Sequence, residues 1–140
     1  MNKINYSQLG RNLVKKHPEL AKELIESSKP VFDNFGLIPT LKEIYDNLTD
    51  PPASSSEITT YRLHFIAVIV RFYDPDAISN TRRCMRSGLR KHLSDTLDVS
   101  PTQISHLFRT VKDYFQIYSS FTTRVGYFYT KINDHVFGTH

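Results

Sequence analysis

Cysteine is almost missing from this 140-residue chain: Cys84 stands alone, which excludes an internal disulfide framework and any multi-cysteine zinc site. It reads as a small buried side chain rather than a nucleophile. Long apolar runs are missing too. The longest, Phe65–Val70, is closed off by His64 and Arg71 and falls far short of the ~20 residues that a bilayer span needs. The N-terminal MNKINYSQLG lacks the apolar stretch of a secretory signal. Five glycines and seven prolines exclude collagen-like or low-complexity structure. There is no G-x-x-x-x-G-K-[ST] loop, no G-x-G-x-x-G and no H-E-x-x-H. The six histidines fall at 17, 64, 92, 106, 135 and 140 with no pair four apart, so neither a metal nor a cofactor has support. These absences predict no membrane contact and a cytoplasmic location, which suits a lone reduced thiol.

What is present is a basic imbalance confined to one stretch. The net charge is +4. Residues 81–112 hold Arg82, Arg83, Arg86, Arg90, Lys91, Arg109 and Lys112 against Asp95 and Asp98, a net +5, which leaves the rest of the chain at −1. An anionic partner would be drawn to such a segment. A solvated basic face is the bland alternative.

The apolar positions read as helix nearly throughout, so the fold expected is all-α, a single multi-helix domain over 1–140. A first helix is expected over Tyr6, Leu9, Leu13 and Val14, and a second from Pro18 through Leu20, Leu24 and Ile25. Thr40 is the expected cap of a short helix carrying Leu41, Ile44, Tyr45 and Leu48. The break at 49–56, TDPPASSS, is read as a surface loop; the alternative is a division into lobes 1–48 and 57–140. Ser54 and Glu57 have capping-box spacing. They open a helix over about 57–73 whose middle, HFIAVIVRFY, is apolar on nearly every face, as befits a central helix wrapped by the others. Asp74-Pro75 predicts a short helical turn, and a further helix is expected near Asn80 or Thr81.

Residues 90–109 read RKHLSDTLDVSPTQISHLFR. Leu93 and Leu97 lie four apart, Val99 follows Asp98, and Ser100-Pro101 supplies a cap and a first helical position. Ile104 and Leu107 open the next apolar stripe. Two short helices joined by so tight a turn bury those five side chains only by crossing steeply.

The stretch resembles helix-turn-helix DNA-binding domains of the repressor and recombinase kind, over about twenty residues. Apolar residues of that pattern correspond to Leu93, Leu97, Val99, Ile104 and Leu107, and the small residue to Ser94. Asp98 stands where glycine is usual; aspartate still tolerates a left-handed backbone. The resemblance implies a second helix lying in the major groove of duplex DNA. At about 100° per residue, Thr102, His106 and Arg109 oppose the apolar side, with Gln103 and Ser105 flanking and Asp113 a turn later. Thr102, Gln103, His106 and Arg109 are thus the expected base contacts. Arg82, Arg83, Arg86, Arg90, Lys91 and Lys112 are the expected phosphate contacts. The role expected is transcriptional or mobile-element regulation without catalysis.

Beyond Arg109, the residues Val111, Tyr114, Phe115, Tyr118, Phe121, Val125, Phe128, Ile132 and Val136 recur at threes and fours over two helices broken near Ser119-Ser120. Most should be core. A homodimer through this 111–136 aromatic face would suit a reader of two half-sites. The alternative function, a helical structural protein that assembles through its Tyr/Phe-rich C-terminal face, rests on the same residues. His106 and Arg109 also share the H-x-x-R spacing of tyrosine recombinases. That resemblance stops there, for lack of a separate arginine box and a second histidine at the expected places.

Overall fold

A computed structural model of the chain describes residues 29–80 and 82–138. The two helices expected before residue 29 lie outside the described residues. Among the described residues the architecture is all-α, with six helices: α1 (Ile38–Leu48), α2 (Ser55–Tyr73), α3 (Asp76–Ser79), α4 (Leu89–Leu97), α5 (Pro101–Ile117) and α6 (Ser119–Phe137). None is long and apolar enough to cross a membrane.

The organising element is α2. Every residue from Leu63 to Val70, and then Phe72 and Tyr73, is buried. The other five helices all pack against it. A helix apolar on all sides leaves water only if it is enclosed, and each large side chain so enclosed is worth roughly 1.5–3 kcal/mol against its exposed state. Its start is fixed by Ser54, whose hydroxyl accepts from the Glu57 amide at 3.3 Å. The Glu57 carboxylate reaches back one residue further than a strict capping box, to the Ala53 amide at 3.1 Å. At the other end, the Phe72 carbonyl accepts from the Val31 and Phe32 amides, which satisfies a helix-end acceptor and pins the incoming chain.

Two expected boundaries shift. The cap of the first described helix is not Thr40. The Asn34 side chain accepts from the Gly36 amide and opens a 3-10 turn, Phe35–Leu37, which runs directly into α1 with Pro39 in the first turn. Leu41 and Tyr45 of α1 join the core around α2, and the 49–56 break is the connection between α1 and α2. The Tyr45 hydroxyl donates to the Tyr61 carbonyl at 2.9 Å, and the Tyr61 hydroxyl donates to Asp46.

Nor does a helix begin near Asn80. Asn80 Oδ1 accepts from the Arg82 amide, a local turn that competes with helix, and the Arg86 amide is taken by Asp74 Oδ2 at 2.8 Å. The segment stays irregular until Gly88, whose φ of +88° sets the direction of α4. A Cβ at Gly88 would also lie 3.1 Å from the Phe35 ring.

The C-terminal aromatic face is largely spent inside the molecule. Val111, Phe121, Val125, Phe128 and Ile132 are buried, and Tyr114 and Phe115 are half-buried. Phe121 stacks on His64 and Phe128 meets Tyr45 edge-on. What stays outside is the corner between α5 and α6, with Ile117 65% and Tyr118 50% exposed, and Tyr127, Val136 and Phe137 further along α6.

Candidate nucleic-acid interface

The site begins with the corner between α4 and α5. Leu89, Leu93 and Leu97, at intervals of four, are buried on one side of α4. Asp98 then takes φ 56° and ψ 49°, and among the described residues it is the only non-glycine with positive φ. The Asp98 and Val99 amides both donate to the Ser94 carbonyl, so the helix end is closed by the turn itself. The buried Ser94 hydroxyl donates to the Val99 carbonyl. Smallness and a hydroxyl are both used at that position. Ser100 accepts from the Gln103 amide at 3.1 Å and Pro101 fills the first helical place.

Set this way, α5 splits lengthwise. Ile104, Phe108 and Val111 are buried and Leu107 is half-buried against the core. Thr102, Gln103, His106 and Arg109 are exposed, together on the outward side, with Asp113 one turn further. On the flank between the two sides, Ser105 accepts from Arg90 Nη1 at 3.1 Å. That bond braces the start of α4 against the second turn of α5.

The basic residues divide into two groups that the sequence did not separate. Arg82, Lys91 and Arg109 are exposed, with no ion pair to a described residue, and Arg90 is exposed with its bond to Ser105. Arg83 and Arg86 are turned to internal work. Arg83 bridges Asp74 at 2.9 Å and Asp76 at 2.8 Å. Arg86 pairs with Asp33 at 3.3 Å and donates to the Tyr73 carbonyl. Lys112 is a correction: it is not a surface cation. It is 9% exposed, lies 4.8 Å from the Phe108 ring centre, and donates to the Asn80 and Arg83 carbonyls. Burial pushes its ammonium below the usual lysine range, with Cys84 and Asp74 pulling the other way.

Asp74 and Asp76 are what a count over 81–112 could not include. Both lie a few residues upstream, and a window opened at residue 74 falls to a net +3. Cys84, expected to be buried, is exposed. It rides on the irregular segment between Asn80 and Gly88, where the neighbouring Met85, not Cys84, packs against the core. Among the described residues no cluster of three His, Cys, Asp or Glu could hold a metal ion. An open cavity of about 580 Å³ lies behind the corner, between α1, the Thr49–Pro52 loop, α2 and Leu97. The Thr102–Arg109 face itself lines neither this cavity nor the one of about 370 Å³ beside His64. Comparison with protein-family models, with curated proteins and with solved structures gives no match to this chain.

Proposed function

We propose that this protein binds duplex DNA in a sequence-dependent manner, with α4 and α5 acting as a helix-turn-helix and the Thr102–Arg109 side of α5 entering the major groove. The observation that carries the reading is the corner at Asp98–Pro101. It buries one side of α5 and leaves Thr102, Gln103, His106 and Arg109 outward and together. Hydroxyl, amide, imidazole and guanidinium groups are suited to base edges. Arg90, bonded to Ser105 on the flank of that side, and the exposed Arg82 and Lys91 are the cations assigned to the phosphate backbone, which fix register without reading sequence. The role is regulatory and non-catalytic, in the cytoplasm, and needs no cofactor.

The test is a titration of mixed-sequence duplex and of selected duplexes at two salt concentrations. Binding should weaken steeply as salt rises, because each neutralised phosphate releases counterions. Replacing Arg82 and Lys91 together by alanine should weaken all sequences alike and flatten the salt slope by about two. Arg109→Ala or His106→Ala should instead relax preference at particular base pairs, by about 1–3 kcal/mol each. Binding that ignores all of these substitutions overturns the assignment.

A second reading, assembly of copies through the C-terminal aromatic face, is favoured by one observation: Ile117 and Tyr118 remain exposed side by side at the α5–α6 corner. Apolar association of that kind would strengthen or hold steady with salt where DNA binding fades. Sedimentation of Ile117→Ser beside the unaltered chain decides it.

A further inference from the structure

Lys112 sits on the fourth turn of α5, on the flank that also carries Ser105. The two lie seven residues apart, so about 10 Å along the helix axis. At Ser105 that flank is tied to α4 through Arg90. At Lys112 it is tied to the irregular segment between α3 and α4, because the ammonium donates to the carbonyls of Asn80 and Arg83. The other side of the segment is held by Asp74, 3% exposed at the end of α2. One of its oxygens accepts from the Arg86 amide at 2.8 Å and the other faces the Arg83 guanidinium at 2.9 Å.

A lysine and an aspartate are costly to bury, and here both are satisfied by one short segment, the lysine by two of its carbonyls and the aspartate by an amide and the Arg83 guanidinium. A core needs neither charge at these positions. What the two charges accomplish is geometric. They fasten Asn80, Arg83 and Arg86 to α2 and α5 at once, and Arg82 is left on the outside with no ion pair to a described residue.

Resting on the DNA-binding reading above, we infer that Lys112 and Asp74 are positioning residues: a two-sided latch that holds the Arg82 segment in register with α5, so that a duplex engaging Thr102–Arg109 meets Arg82 already in place at its phosphate backbone. Preorganising a cation in this way removes the ordering cost from the binding step. Lys112 itself touches no phosphate.

The experiment uses the full chain, a mixed-sequence duplex and native-state amide exchange. Lys112→Met keeps the length of the side chain and removes its charge; Asp74→Asn keeps the shape and weakens the other side. Either should lose exchange protection at the Arg86 amide and reduce duplex affinity by about fivefold, the order of one backbone contact. Arg82→Ala should cost about the same in the unaltered chain and nothing further in the Lys112→Met background, because the two act through one contact. A second independent loss in the double variant, with the salt slope flattened again by about one, would make Lys112 a direct phosphate contact and overturn the inference. An Arg86 amide that stays protected in both single variants overturns it without reference to DNA. An unaltered chain that fails to bind duplex at low salt overturns the DNA-binding reading instead, while the exchange measurement still decides the latch.

Discussion

Helices α2 and α5 are nearly equal in length, 19 and 17 residues, and are packed against each other, yet the C-terminal part of α2 has no side left to offer while α5 has a buried side and an open one. In α2 the apolar residues run consecutively, so burial surrounds the helix for its last eleven positions except at Arg71, whose guanidinium lies 4.0 Å from the Tyr129 ring centre. In α5 they recur at 104, 107, 108 and 111, so burial takes a stripe and the opposite side stays polar. The contrast separates scaffold from surface. Substitutions in α2 should register as stability and those on the outer side of α5 as binding.

The sharpest way to break that contrast is Phe65→Ala. The side chain is fully buried against Tyr45, and the loss should be about 3–5 kcal/mol in urea unfolding. Within α5, Ile104→Ala should cost about 2–5 kcal/mol, and Leu107→Ala less than Ile104→Ala, because Leu107 is only half-buried. Equal costs would mean that the stripe is wider than described.

A pH titration comes next. His64 is buried in α2, its Nδ1 faces the Thr60 carbonyl at 2.9 Å, and Phe121 and Phe128 of α6 cover the ring. Burial first, and Arg124 as a further cause, hold its pKa below 6.5 despite the Thr60 carbonyl. Between the folded value and 6.5 the unfolded chain carries more of this proton. Its contribution to stability is therefore complete above pH 6.5 and is lost as pH falls through the folded value. His64→Gln should flatten unfolding midpoints measured across that window.

Asp98→Gly is a smaller effect of opposite sign. Relief of the left-handed backbone should raise stability by up to ~1 kcal/mol, read in the same unfolding assay, less what the unfolded chain gains in freedom. Smallest of all, Arg109→Ala and Thr102→Ala should leave stability within about 0.5 kcal/mol while altering duplex binding. A larger loss of stability would join that face to the scaffold and erase the distinction.

The parts of this molecule that were legible in the sequence are those fixed by neighbours in the chain. Ser54 opens α2, Ser100 and Pro101 open α5, and the spacing of Leu93, Leu97 and Ile104 places the corner. The exposure of Thr102, Gln103, His106 and Arg109 follows from the same periodicity. The segment 82–87 was not legible, because what holds it open is distant: a carboxylate twelve residues from the amide it accepts and an ammonium 29 residues from the carbonyl it reaches. The same distance explains Cys84 on the surface and Lys112 inside. Periodicity assigns a lysine to a polar side, and only a tertiary partner draws it inward. The aromatic stripe of α6 was legible as apolar but not as already partnered; that required knowing that Tyr45 and His64 lie opposite Phe128 and Phe121.

Finally, α5 runs unbroken from Pro101 to Ile117, roughly 25 Å. Its front end carries the outward polar groups, its middle is seated on the core, and its far end emerges at Ile117 and Tyr118. One continuous helix thus gives the surface two unlike ends, a polar one at Thr102 and an apolar one at Ile117, at a spacing that the helix itself fixes.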